Sequence, residues 1–345
     1  MSTMWLLYGA NGYTGDLIAR EAVRRGVRPI LAGRRAETIE PLARELKCEA
    51  RVFDLEHPNL KDVELVLHCA GPFVQTSEPM VRACLDAGVH YLDITGEIAV
   101  FEAIMAMDDE AKHRGVTLLP GVGFDVVPTD CLAAQLAERL PDAHDLLLAF
   151  YSSKGEISRG TLKTMIEGID QGGAIRRDGK IIRVPMLYDV REINFSCGKR
   201  TAMTIPWGDV STSYYTTGIP DIRVYNAASP RAIKRLRLMK PFLPIAGLTP
   251  VKRLLHSFAD RRTGPAQDVR TEGRMYLWGQ VTNAKGDLAM MTKTTPEGYQ
   301  FTVISALGAI ERVLNGPKKP GSFTPAKYFG ANFLEELVDT DTVHC

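Results

Sequence analysis

Three glycines spaced three apart, Gly9, Gly12 and Gly15, form the pattern in this chain most suited to chemistry. They separate the apolar run Trp5-Leu6-Leu7-Tyr8 from Asp16-Leu17-Ile18-Ala19-Arg20, an order that reads as strand, tight turn and helix. Glycine lets the backbone bend sharply and come close to a ligand, while the N–H groups and positive dipole end of the new helix face an anion. Asn11, Tyr13 and Thr14 complete the turn, and a pyrophosphate is its natural guest. The G-x-x-G-x-x-G spacing departs from the usual dinucleotide fingerprint, so its place between strand and helix matters as much as the pattern.

The following strand, Arg28 to Gly33, runs into Arg34-Arg35. A chain binding the unphosphorylated dinucleotide usually carries a carboxylate here for the ribose hydroxyls. Two guanidiniums instead offer forked, charge-assisted hydrogen bonds to a 2′-phosphate, which indicates NADP(H). An isolated arginine pair would read as solvated surface. The glycine turn some twenty residues earlier outweighs that reading.

These groups need a sheet to hold them. A length of 345 residues exceeds what one core usually supports, so two domains are expected. Strands at Glu49–Leu55, Val63–Ala70, His90–Ile94 and Val116–Leu119 alternate with helices at 41–46, Glu78–Ala87 and Phe101–Arg114. That pattern is a doubly wound parallel sheet of the Rossmann-like α/β class. Asp54 is placed to touch the adenine, and Ala70, Gly71, Pro72 and Phe73 to lie along the ribose and nicotinamide. Gly71-Pro72 also suits a plain strand-ending turn.

The order and spacing of Gly9 to Gly15, Ala32-Gly33-Arg34, Cys69 to Phe73, Tyr91 to Glu97 and Gly123 to Asp130 resemble the saccharopine dehydrogenase-like oxidoreductases. Later motifs, Gly264-Pro265, Gly298-Tyr299 with Thr302, and Gly321 to Ala326, look most like the trans-acting enoyl reductase branch, which works beside polyketide and lipid synthases. The resemblance implies NADPH and an N-terminal dinucleotide fold. It leaves the substrate open, because relatives include imine-forming amino-acid enzymes.

The second half reads as an α+β domain on a mostly antiparallel sheet. Strands are expected at Lys180–Pro185, Lys199–Pro206, Ser211–Tyr215 and Arg223–Ala227, with a hairpin pairing 270–281 with 289–295 through Asn283 to Asp287. Ser158 opens a helix to about Gly168, and helices at Val303–Leu314 and Tyr328–Leu337 close the chain. The division expected is 1–124 for NADP binding, 125–310 for substrate and dimer contacts, and 311–345 as a terminal helical segment packing back on the first domain.

Segment 229–262 is a basic amphipathic insertion whose single acid is Asp260. It suits anionic lipid headgroups or an acidic carrier presenting an acyl chain. The preferred reading is a helical cap that turns its apolar face inward, over the substrate cleft or against a second subunit, because amphipathic helices of soluble chains usually bury their stripe. A net charge of +1 gives no global attraction to nucleic acid, and stacking platforms for it are sparse. The six cysteines, Cys345 among them, form no C-x-x-C pair, so reduced thiols and a cytoplasmic protein are expected. No metal is expected, since no histidine pairs with cysteine or carboxylate at ligand spacing. His68 and Cys69 read as packing residues.

Hydride chemistry remains, with the protein supplying orientation and a proton. Tyr91, Asp125 and Thr129 are the catalytic candidates, beside Gly96 and Glu97 at the cofactor. For Asp125 and Thr129, fixing a turn and capping a helix is an equal alternative. The expected activity is reduction of a C=C bond conjugated to a carbonyl, on an apolar or carrier-bound substrate. Imine reduction of the saccharopine type, and a non-catalytic NADPH-binding adaptor, are the competing readings.

Overall fold

Trp5–Tyr8 is buried along its whole length, as a central parallel strand must be. The computed structural model describes residues 4–259, 261, 264–340 and 343–344; Asp260, Arg262 and Cys345 lie outside them. The chain divides into two compact units, Met1–Val127 with Phe301–Tyr328, and Pro128–Gln300 with Phe329–Cys345.

The first unit runs β1 (Trp5–Tyr8), α1 (Tyr13–Arg24), β2 (Ile30–Gly33), α2 (Ala36–Leu46), β3 (Ala50–Val52), β4 (Leu65–His68), α3 (Phe73–Ala87), β5 (His90–Asp93), α4 (Ile98–Met105), α5 (Asp108–Arg114) and β6 (Thr117–Leu119). Its sheet has seven parallel strands in the order β15-β6-β5-β4-β1-β2-β3, where β15 is Gly321–Ser322. Tyr8 pairs with Ala32 on one side and His68 on the other, which brings the carboxyl ends of β1, β2 and β4 together. Val66, Tyr91 and Leu118 of the sheet share a core with Met80, Val81 and Ile104 of the helices.

Two features depart from expectation. Helix α3 starts at Phe73, five residues before Glu78, because Glu97 satisfies its first N–H groups from far along the chain. The sheet also gains β15 beyond Val116–Leu119, held by Thr117 Oγ1 donating to the Lys319 carbonyl and Ser322 N donating to Asp108.

The second unit begins within α6 (Val127–Arg139) and continues with β7 (Ala143–Ser152), α7 (Arg159–Glu167), β8 (Gly173–Arg177), β9 (Lys180–Val184), β10 (Val190–Phe195), β11 (Gly198–Thr204), α8 (Asp209–Thr217) and β12 (Asp221–Ala227). There follow α9 (Pro230–Met239), α10 (Leu243–Ala246), α11 (Thr249–Ala259), α12 (Gln267–Glu272), β13 (Arg274–Asn283), β14 (Leu288–Pro296) and α13 (Gly298–Asn315), which passes into the first unit at Phe301. Last come α14 (Pro325–Phe329), α15 (Phe333–Leu337) and β16 (Val343–His344). The sheet is mostly antiparallel, in the order β10-β11-β12-β7-β13-β14-β16, with β8 and β9 paired beyond β12. One pair, β12 on β7, is parallel.

Ser211–Tyr215, expected as strand, is helix α8. Thr212 and Thr217 turn their hydroxyls onto the carbonyls four residues back, which lets a hydroxyl-rich segment stay helical while buried, and Gly218 at φ 76° ends it. The single helix expected at Tyr328–Leu337 is two, broken at Gly330 with φ 101°. No described helix is long and apolar enough to cross a membrane.

Candidate functional site

Each glycine of the first turn has its own steric reason. Gly9 sits at φ 84°, and a methyl group there would lie 2.9 Å from the Ala70 nitrogen at the end of β4. A methyl group on Gly15 would lie 2.3 Å from the Gly9 carbonyl oxygen. Gly12 precedes α1 without a side-chain cap, so the first-turn N–H groups at Tyr13, Thr14 and Gly15 meet no capping side chain from that position. Asn11 lies at the neck of the turn, its Oδ1 3.4 Å from where a Cβ on Gly33 would stand. These contacts form a cradle that fits a pyrophosphate.

Arg34 and Arg35 follow β2 directly and are both exposed. Neither guanidinium forms an ion pair or side-chain hydrogen bond with a described residue. Such free forks fit a 2′-phosphate. Arg34 acts on the buried Tyr8 hydroxyl, which burial pushes above its ordinary pKa and Arg34 pulls back down. Asp54 acts on the same hydroxyl with opposite sign, but its carboxylate is engaged in its own turn, accepting from Glu56 N at 3.1 Å and His57 N at 2.9 Å. Tyr8, whose hydroxyl donates to the Phe53 carbonyl, links these groups and was missed in the sequence because it reads as one more strand residue.

At the ends of β4 and β5 lies a network of carboxylates. Asp93 is fully buried; its Oδ1 accepts from Thr95 N and Gly121 N, and its Oδ2 from the Tyr91 hydroxyl at 2.8 Å. Burial pushes Asp93 up to about 6 against the pull of these three donors. Tyr91, a catalytic candidate from the sequence, is itself fully buried and donates its hydroxyl to Asp93. Burial, then Asp93, raises its pKa well above the ordinary value.

Glu97, expected at the cofactor, turns its carboxylate to the start of α3, accepting from Phe73 N at 2.9 Å and Val74 N at 2.8 Å. The helix dipole favours an anion there. Its effect is to fix the Ala70-Gly71-Pro72-Phe73 loop. Thr76, which sequence reasoning missed, fastens the same loop by donating to the Ala70 carbonyl at 2.7 Å. Since that hydroxyl proton is committed, His68 donates through Nε2 to Thr76 Oγ1 at 3.0 Å, and burial lowers its pKa to about 3. A hydroxyl six residues after a strand end is too common a pattern to have marked Thr76 in advance.

Asp125 lies against this network. A methyl group on Gly96 would fall 2.6 Å from Asp125 Oδ2, so Gly96 is where the carboxyl packs on backbone. Burial, and then the charge of Glu97, pushes Asp125 up to about 7. It therefore holds a proton near neutral pH while remaining able to release it. Thr129 is buried in α6 of the second unit. There Asp130 accepts from the Thr216 hydroxyl at 2.6 Å, which ties α6 to α8.

An all-parallel sheet with a glycine turn after its central strand defines a Rossmann-type dinucleotide-binding unit. Residues 5–119 match the saccharopine dehydrogenase NADP binding domain family, and the first unit is a domain of that type, binding NADP. The chain is 27% identical to a saccharopine dehydrogenase-like oxidoreductase of Mus musculus, over 50% of this chain and 47% of that protein. It is 30% identical to a trans-acting enoyl reductase of Mycobacterium bovis, over 48% of this chain and 44% of that protein. The chain thus spans less than half the length of these curated relatives. In fold it is similar to saccharopine dehydrogenase (L-Glu forming) of Saccharomyces cerevisiae, with a TM-score of 0.66 over 99% of this chain and 100% of that one at 14% identity.

Proposed function

We propose that this protein is an NADP(H)-dependent oxidoreductase that reduces a C=C bond conjugated to a carbonyl, on an apolar or carrier-bound substrate, with Asp125 as the proton donor. The observation that carries this reading is the Asp125 carboxyl, held near pKa 7 beside Gly96 and Glu97. A general acid works best when its pKa lies near the operating pH. The similarity to a trans-acting enoyl reductase supports the choice of C=C over other acceptors.

The nicotinamide, when bound, supplies a hydride to the β-carbon as the carbonyl takes up negative charge. Gly9, Gly12 and Gly15 would seat the pyrophosphate, with Arg34 and Arg35 on the 2′-phosphate. Ala70 to Phe73, kept in place by Glu97 and Thr76, would line the nicotinamide end. Asp125 delivers its proton to the α-carbon and regains one from water, so that hydride and proton together saturate the double bond and the carbonyl is restored.

The test is NADPH oxidation with enones, enoyl thioesters and cyclic imines in parallel. Turnover of the first two but not the imine supports the proposal. Turnover of the imine alone would replace it with saccharopine-type chemistry. Tight NADPH binding without any turnover would replace it with an adaptor.

A further inference from the structure

Segment 229–259 contradicts the usual economy of a surface helix. An amphipathic helix normally turns its apolar stripe inward and its charges outward. In α11 Ala259 is buried, but polar side chains share that inward side. Lys252 donates to the Glu167 carbonyl and pairs with Asp170, and His256 meets Glu167, so these polar side chains face α7. Leu254 and Phe258, one turn apart, are 57% and 56% exposed. Leu238 and Met239 at the end of α9, Ile245 in α10, and Leu248 between α10 and α11, are exposed as well. Within this chain these six residues of the stripe are therefore left uncovered.

The charges around them are of one sign. From Ser229 to Ala259 the sequence holds seven Lys and Arg and no Asp or Glu. Arg235, Arg237, Lys240 and Arg253 are exposed among the apolar residues, and the Arg261 guanidinium lies 5.8 Å from the Phe258 ring centre. Exposed leucine and phenylalanine interleaved with cations are the composition of a helix lying in the headgroup layer of a bilayer. A second copy of this chain laid face to face on the same surface would set these exposed cations against their own counterparts, which disfavours that occupant.

We propose that α9 to α11 form a docking surface for an anionic phospholipid bilayer, with Leu238, Met239, Leu254 and Phe258 entering the acyl boundary and the arginines engaging lipid phosphates. Membrane contact of this kind is peripheral and reversible, and it is independent of the reaction assigned to the first unit.

Vesicle flotation of the full chain tests it, with phosphatidylcholine vesicles alone and with phosphatidylglycerol added. The protein should float with the mixed vesicles, remain behind with phosphatidylcholine alone, and be released by salt. Phe258→Ala should lower partition at least roughly tenfold, because one phenylalanine leaves the acyl layer. Arg235→Ala with Arg237→Ala should lower it about thirtyfold, at about fivefold per lost basic contact. Both variants lie at exposed positions, and unchanged NADPH affinity and thermal midpoint will show that they fold. Absence of flotation with mixed vesicles, or flotation unaffected by either variant, overturns the proposal. So does a Phe258-dependent dimer in sedimentation velocity, or Phe258-dependent binding of an acidic carrier protein that the mixed vesicles fail to displace.

Discussion

Replacing Asp125 with asparagine tests the electrostatic core of the candidate site. In the fold this carboxyl is pushed up to about 7 from an ordinary 3.8, chiefly by burial. Asparagine keeps the shape and hydrogen-bonding capacity but cannot ionise. Because the folded pKa is raised, the stabilisation from holding the proton is complete below pH 3.8 and is lost as pH climbs through 7. A shift of that size corresponds to about 4 kcal/mol when integrated over the whole window. Between pH 5 and 8 the stability of Asp125→Asn should therefore rise relative to wild type by about 2–3 kcal/mol. In thermal melts the gap between the two proteins should widen by roughly 5–10 °C over that range. Asp93, which titrates at about 6, is present in both proteins and cancels in the difference. With an enone and NADPH, the wild-type rate should fall as pH passes 7, and the variant should be slower by about 100-fold or more, with no such fall. A melting gap equal at pH 5 and pH 8 would refute the burial argument. A variant that turns over at the wild-type rate would refute the role as acid.

Arg34→Asp should weaken NADPH at least about tenfold while changing NADH little, since a phosphate of nearly two negative charges would face a carboxylate; equal weakening in calorimetry would count against the 2′-phosphate seat. Gly15→Ala places a carbon 2.3 Å from the Gly9 carbonyl and should abolish NADPH binding with a lowered thermal midpoint, whereas Gly26→Ala, where a methyl group meets nothing but the φ of 82° is strained, should lower the midpoint and keep binding. Glu97→Ala removes the acceptor for Phe73 N and Val74 N, and should cost about 1 kcal/mol in urea melts together with NADPH affinity. His90, lowered to about 4 mainly by burial, contributes stability that is present above 6.5 and lost as pH falls toward 4; His90→Asn, which keeps an acceptor for Thr117 N, should flatten that acid limb in pH-dependent melts.

The parts legible in the sequence were those set by near neighbours. The turn from Gly9 to Gly15 is written in consecutive residues, and Arg34-Arg35 declares its charge without help from the rest of the chain. Likewise β1 and β4 are apolar enough to be recognised as central strands. What escaped depended on partners far along the chain. The first turn of α3, ahead of the start expected at Glu78, exists because Glu97 caps it across 24 residues. Helix α8 carries residues that favour strands and is kept helical by its own hydroxyls and by burial. Asp125 was visible as a carboxylate, but not the elevated pKa that follows from its burial and then from the charge of Glu97. In 229–262 the alternation of charge and apolarity was plain, while the side turned to water was not, since Glu167 and Asp170 draw the polar side inward.

The strand supplied by Gly321–Ser322 bears on how the polypeptide matures as it is made. Strand β6 ends at Leu119, and its neighbour emerges from the ribosome some 200 residues later. At about 5–20 residues per second, the nascent sheet spends roughly 10–40 s with that side bare. An unpaired margin of this kind invites other strands to add to it. Phe301 and Thr302 arrive late as well, the first stacking edge-on against Phe124 and the second accepting from its N–H. Translation stopped before these residues would release a dinucleotide unit with an unfinished border and a stripped core, a natural client for chaperones.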